Sequence, residues 1–457
     1  MTEPSNLSNE PSTETLQEWD RLHQIHPWAA MDEWRGYDNM LVERADGIYL
    51  WDANGKRYID GPGGMWCTQI GYGRKDMADA IAAQVLKLPY TSPFTNVTEP
   101  SAVLAKKIAD MAPGDLNNVF FTTGGSTAVD TALRTMQYMN NRRGKPDKKM
   151  IIAREKGYHG STYLAHSITG KERDKSHFDF ETRLVHFLPD VNPYRRPAGT
   201  SVQDWCDAKV ADLENAIEDI GADKIGAFVA EPILSSGGVI VPTPGYHKRT
   251  WELCRKNDIL YISDEVVTGF GRLGHWFSSK DVFDIEPDMI TCAKGLTSGY
   301  LPLGACIISD RVMEMMSDLG EASSYTNGYT YSAHPVCCVA ALKNIEIIEN
   351  EGILEHVREV SPHFQKRLHD LMKYDIVGDA RGMGLLGCIE GKAANLDAER
   401  TLGSKIDEAC EEMGLLVRPL INMAVFSPPL IITIEQIDEM FDILERALQK
   451  VQKDLAA

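Results

Sequence analysis

Two ionisable residues stand where buried strands end. Asp264 closes the apolar run ILYIS and Lys294 follows MITCA, within a stretch that reads ILYISDEVVTGFGRLG and then EPDMITCAKGLTSGYLPLG. Runs this apolar, bounded by polar glycine-rich turns, suit strands of a parallel sheet covered on both faces. Ligands of such sheets bind beyond the carboxyl ends of the strands. A carboxylate and a lysine meeting there could be a plain ion pair. The glycines of TGFGRLG and KGLTSG argue for more, because they let backbone approach a ligand closely, and a lysine after an apolar strand is unfavourable unless used or paired. The pair matches the demands of pyridoxal phosphate: an amine that condenses with its aldehyde, and a carboxylate that keeps its pyridine nitrogen protonated so that the ring accepts electrons.

A phosphate-bearing cofactor also needs an anion cradle, usually backbone N–H groups at a helix start with hydroxyl donors nearby. FFTTGGSTAVDTALRTM offers one, with Gly125 and Ser126 where a strand turns into an amphipathic helix. Such a turn is ordinarily only a helix cap; together with the lysine it becomes a candidate phosphate site. Tyr158, in KGYHGST after the strand MIIAR, can lay its ring on a pyridine face. Glu231, at the end of IGAFVAEP, is a third acidic strand end, for which a structural role is the alternative.

The run D-E-V-V-T-G-F-G-R-L-G followed by A-K-G-L resembles the signature of class III, fold-type I, pyridoxal-phosphate-dependent aminotransferases, the omega-transaminase group; the resemblance covers about residues 20 to 450. It implies an α/β fold-type I architecture, with a large domain on a mainly parallel seven-stranded sheet and a smaller α+β domain built from the C-terminus and the N-terminal segment. It implies that Lys294 and Asp264 are catalytic, and that Gly125, Ser126, Tyr158, Glu231 and Val266 surround the cofactor. In TNGYTYSAHP it implies that Thr330 reaches the phosphate of a neighbouring subunit, so that a homodimer, with a tetramer left open, completes each site. Trp66, Phe94 and Tyr158 would wall the substrate pocket, and Arg418, in GLLVRPL, would pair with the carboxylate of a keto acid and swing aside for an apolar amine. The phosphate loop departs from the commoner family wording, with Thr123, Gly124 and Thr127 in place of the usual residues, which puts the contacts of the usual glutamate in doubt.

The activity implied is transfer of an amino group from a primary amine or omega-amino acid to a keto acid, pyruvate by preference, by a ping-pong mechanism. Taurine-, beta-alanine- and diamine-type transaminases are alternatives, as are an aminomutase or a decarboxylating relative. A fold kept for binding without turnover would be expected to have lost Lys294.

The elements that must position these residues come next. With 43% hydrophobic and 25% charged residues the chain has the composition of a soluble globular protein, and its 457 residues suggest two domains or one large domain with an appendage. A net charge of −19, spread along the chain, disfavours nucleic acid and anionic membranes. Nine cysteines without paired spacing suit a reducing, cytoplasmic compartment. No apolar run is long enough for a membrane span.

The expected division is a disordered tail over 1–15, an N-terminal segment over 16–72 packing with the small domain, a large cofactor-binding domain over 73–335, and a small domain over 336–457. EWDRLHQIHPWAAMDEW reads as helical and GIYLWDANGKRYIDG as a hairpin turning at Ala53-Asn54-Gly55-Lys56. The run from Cys337 to Lys373 reads as one long helix. His23 and His26 lack further ligands, so no metal is expected. The dinucleotide-like spelling from Gly382 to Gly387 runs into a strand and reads as close backbone packing.

Overall fold

The computed structural model describes residues 11–36, 39–317 and 323–456. The helix Thr13–His23 opens this part of the chain, with the Ser12 hydroxyl accepting the Thr15 N–H at 3.3 Å. A disordered tail over 1–15 is therefore too long an expectation: the N-cap at Ser12 starts a helix inside it, and residues 1–10 lie outside the described residues. The aromatic stretch expected to be helical is helical only as far as His23. Pro27 disfavours helical backbone at His26, whose ring instead pairs with Asp20 at 2.8 Å. The hairpin follows: β1 (Val42–Asp46), β2 (Tyr49–Asp52) and β3 (Arg57–Asp60) pair antiparallel in order. Gly55 takes its turn at φ +79°, while the Asp52 carboxylate accepts the N–H groups of Asn54 and Lys56 at 2.9 and 2.8 Å.

Seven strands form the central sheet: β4 (Asn118–Thr122), β5 (Met150–Arg154), β6 (Val185–Leu188), β7 (Ile225–Ala230), β8 (Leu260–Asp264), β9 (Met289–Cys292) and β10 (Gly304–Ile308). Their order is β4-β10-β9-β8-β7-β5-β6. Strand β10 runs antiparallel to both neighbours, and the pairs β6–β5, β5–β7, β7–β8 and β8–β9 are parallel. Every residue of β7, β8, β9 and β10 is buried, which is why these runs are largely apolar rather than alternating. The β8–β9 register sets Asp264 opposite Thr291, and so brings the segment that carries Lys294 to the same edge of the sheet.

The C-terminal part adds β11 (Val377–Met383), β12 (Leu386–Gly391), β13 (Leu415–Leu416), β14 (Arg418–Leu420) and β15 (Met423–Phe426). Four of these make an antiparallel sheet in the order β11-β12-β15-β14, and β13 pairs parallel with β3. One apolar cluster contains Ile48, from the turn between β1 and β2, and Ile59 of β3 together with Phe426 and Phe441. The expected single helix after residue 336 is two, Pro335–Asn350 and Ile353–His369, because Gly352 turns the chain at φ +62° between them. The glycine spelling at 382–387 lies in the β11–β12 hairpin, where Gly382 pairs with Gly387 and a Cβ on Gly382 would fall 2.2 Å from the Leu386 carbonyl. Among the described residues no helix is long and apolar enough to cross a membrane.

The central sheet carries the site, so its packing is the quantity to perturb. Phe228 on β7 is fully buried and meets Tyr261 edge-on at 5.5 Å. Phe228→Ala is expected to destabilise the protein by about 3–5 kcal/mol, read as a lower midpoint in denaturant unfolding; an unchanged midpoint would contradict the packing described.

Candidate active site

Asp264 ends β8 as a buried carboxylate with three donors. One oxygen lies 2.7 Å from His159 Nδ1; a carboxylate only accepts, so the imidazole donates from Nδ1. The other oxygen accepts the Thr291 hydroxyl from β9 at 3.1 Å and the Val266 N–H at 3.2 Å. His159 is held in turn by its own N–H, which donates to the Thr169 hydroxyl at 3.0 Å.

Lys294 follows β9 in left-handed backbone at φ +41°, a conformation that a side chain bearing a Cβ rarely adopts. Its partly buried amine makes no hydrogen bond or ion pair among the described residues. Burial pushes that amine below the ordinary lysine range, while the negative charges of Asp264 and Glu231 pull it back up. The Trp66 ring centroid is 5.3 Å from Nζ. Trp66 itself has φ +64°, and the turn before it is braced by the Asp60 carboxylate, which accepts the Gly64 N–H at 2.7 Å and the Tyr72 hydroxyl at 2.6 Å.

Beyond β4 the chain turns through Gly124 into the helix Gly125–Arg142, which has no side-chain cap. The N–H groups of Gly125, Ser126 and Thr127 have no acceptor among the described residues, so the helix start presents free donors and the positive end of its dipole. Ser126 Oγ accepts the Ser161 N–H at 3.0 Å, and a Cβ on Gly160, which has φ +141°, would lie 2.6 Å from that oxygen. Val266 packs on Gly125, where a Cβ would come within 3.0 Å of Cγ1. Thr127 turns its hydroxyl back onto the Gly124 carbonyl at 2.8 Å, closing on its own helix start.

Glu231 sits just past β7. One carboxylate oxygen accepts the Tyr158 N–H at 2.9 Å and the other the Ser235 N–H at 3.1 Å, and burial pushes its carboxyl above the usual range. It thereby ties down the loop bearing Tyr158 and His159. The Tyr158 hydroxyl bonds Ser161 Oγ at 3.0 Å, and its ring lies 5.9 Å from Trp28 and 5.6 Å from Lys171 Nζ. His159, Trp28 and Lys171 are additions to the residues expected from sequence. His159 could have been suspected as the neighbour of Tyr158, but its partner Asp264 is 105 positions away, and no local pattern spans that distance.

Other expected residues stand apart from this group within one chain. Phe94 is 72% exposed, and Thr330 is exposed with its carbonyl accepting the Tyr90 hydroxyl at 2.9 Å. Both belong to one surface cluster that includes Tyr331, whose ring is 6.0 Å from that of Tyr90. Arg418, partly buried at the start of β14, makes no hydrogen bond or ion pair among the described residues.

Pyridoxal phosphate asks for an amine, a carboxylate for its ring nitrogen, an aromatic face and a phosphate cradle. The uncommitted Lys294 amine, Asp264, Tyr158 and the free N–H groups at Gly125–Thr127 fit those four demands. Gly160→Ala is expected to weaken cofactor binding at least ~10-fold, because the added Cβ displaces Ser126 at the cradle; titration of the cofactor-free protein with pyridoxal phosphate, followed by absorbance, checks this. Unchanged affinity would place the phosphate elsewhere.

Residues 32–448 match the family model for class-III aminotransferases. The chain is 35% identical over 453 residues to the putrescine–pyruvate aminotransferase of Pseudomonas aeruginosa, spanning 97% of this chain and 98% of that protein. It superposes with a TM-score of 0.93 on an (S)-enantioselective omega-transaminase from Thermomicrobium roseum, at 32% identity over 97% of this chain and 100% of that one. The TM-score is 0.92 for a pyridoxal-phosphate-bound aminotransferase mutant from Vibrio fluvialis, at 33% identity over 98% and 100% of the two chains. With the strand-end lysine and aspartate and the helix-start cradle in place, the chain belongs to the class-III aminotransferases, enzymes that depend on pyridoxal phosphate.

Proposed function

We propose that this aminotransferase moves the amino group of a primary amine without an α-carboxylate to pyruvate, in the cytoplasm, as a homodimer in which Thr330 of each chain serves the other's site. The observation that carries the reading is the Lys294 amine: partly buried, on left-handed backbone, and without a hydrogen bond or ion pair among the described residues. An amine held in that way at a strand end is reserved for chemistry rather than for structure.

When bound, pyridoxal phosphate supplies an aldehyde to capture the amine and a conjugated ring to take up the electron pair released from carbon. With the cofactor bound, Lys294 Nζ would take the proton from the amine-bearing carbon of the donor and deliver it, in the same half-reaction, to the carbon that had carried the aldehyde, and would run that transfer in reverse with the keto acid. Its lowered proton affinity favours this, since a base works best with a pKa near the working pH. Asp264, oriented by His159 and Thr291, places negative charge for the ring nitrogen's proton, and the helix start at Gly125–Thr127 receives the phosphate. Trp66 excludes water beside Nζ.

Pyruvate is supported by Arg418, a partly buried guanidinium with no partner among the described residues, whose planar fork suits a carboxylate, and by the pyruvate in the name of the Pseudomonas relative. The dimer is supported by the exposed aromatic cluster of Tyr90, Phe94 and Tyr331 around Thr330, since contiguous apolar surface marks interfaces. The nine free cysteines, eight of them buried, support a reducing compartment.

Lys294→Ala is expected to lower turnover by about 10²–10⁴-fold or more while the cofactor still binds through the cradle, as measured by amine–pyruvate assay alongside absorbance after dialysis. Near-full activity would overturn the role given to this amine.

A further inference from the structure

Arg418 and Asp407 are opposite charges that act on each other while neither makes a hydrogen bond or ion pair among the described residues. Asp407 lies on the helix Leu396–Glu412. That helix rests flush on the turn that follows β14: a Cβ on Gly403 would fall 1.6 Å from the Ile421 carbonyl. Asp407 is one turn further along the same helix face, and Arg418 opens β14. Both side chains are partly buried.

The charges around the guanidinium are few. Asp407 and Asp174 attract it, and Arg173 repels it. Asp174 is already committed, to Lys171 at 3.1 Å and to Arg173 at 3.3 Å. Among the described residues the charged groups besides Arg418 that act on Asp407 are Glu408 and Glu411 of its own helix, and burial with these two like charges pushes its carboxyl up to about 6. What this carboxylate lacks, among the described residues, is a cation within ion-pair distance.

We propose that Asp407 is the station that receives the Arg418 guanidinium whenever a substrate without a carboxylate occupies the site, which makes it a positioning residue for the alternation between amine and keto acid. The proposal rests on the reading of Arg418 as the partner of the acceptor's carboxylate. A single site must accept an apolar amine and then a carboxylate. A partly buried guanidinium left without a counter-charge is unfavourable, so its withdrawal is easy only if a carboxylate waits outside. Asp407 lowers the energy of the withdrawn arrangement and not of the other, and so sets the population that each substrate meets.

Steady-state kinetics of the holoenzyme with 1-phenylethylamine and pyruvate test this. Asp407→Asn is expected to raise KM for the amine about fivefold and to lower KM for pyruvate by a similar factor, on the scale of one partly screened ion pair. A residue with a merely structural role would move both values the same way or lower kcat. Asp407→Glu, which keeps the charge, is expected to preserve the wild-type ratio and covers the case in which the asparagine variant does not fold. Arg418→Leu is expected to raise KM for pyruvate alone, and adding Asp407→Asn to it should change neither value further. If Arg418→Leu leaves the pyruvate KM unchanged, the reading of Arg418 is wrong and the station falls with it. If Arg418→Leu acts as expected but Asp407→Asn moves both KM values together, moves neither, or is matched by Asp174→Asn, the station alone is overturned.

Discussion

The constraint on which the site depends is the satisfaction of a buried carboxylate at the end of a buried strand. An ion removed from water without partners is unfavourable by several kcal/mol, and Asp264 is tolerable there because three donors from three segments converge on it: the His159 ring, the Thr291 hydroxyl and the Val266 N–H. Each donor fixes something else. Thr291 locks the β8–β9 register and with it the position of Lys294. Val266 packs on Gly125 and so sets the helix start against the strand end. His159 holds the loop bearing Tyr158, which Glu231 ties down from the next strand. The proposed cofactor site is therefore assembled around the partners that offset the desolvation of one aspartate.

The two halves of the site are built differently. On the cofactor side Asp264, His159 and Glu231 are held by partners, while among the described residues the Lys294 amine and the first N–H groups of the helix Gly125–Arg142, which a cofactor would engage, have none, nor do the buried Trp66 Nε1 and the Gln69 amide. The groups proposed for the substrate side are unpaired or exposed: Arg418 and Asp407 bind nothing among the described residues, and Phe94 lies on the surface. A rigid frame on one side and uncommitted groups on the other suit a reaction whose two half-reactions bring unlike molecules to one cofactor.

Much of the cofactor side was legible in the sequence because parallel strands buried on both faces have an apolar spelling, so that a charged residue directly after one is conspicuous. Asp264, Lys294 and Glu231 stand out for that reason, and Gly125 and Ser126 stand out as a glycine turn between a strand and a helix. His159 escaped because its meaning lies in a contact across 105 positions. The sites of Phe94 and Thr330 are unreadable from one chain folded alone, since both face outward. The helix boundaries at Ser12 and Gly352 turned on a single cap and a single left-handed glycine, details that a broad reading of periodicity passes over.

The most direct measurement is the visible spectrum of the purified protein given one amine with no keto acid, and then pyruvate. The account predicts that the yellow absorption of the bound cofactor is lost on adding the amine and restored by pyruvate. A colourless protein that stays colourless after incubation with pyridoxal phosphate, or a yellow one unmoved by any amine, would contradict it.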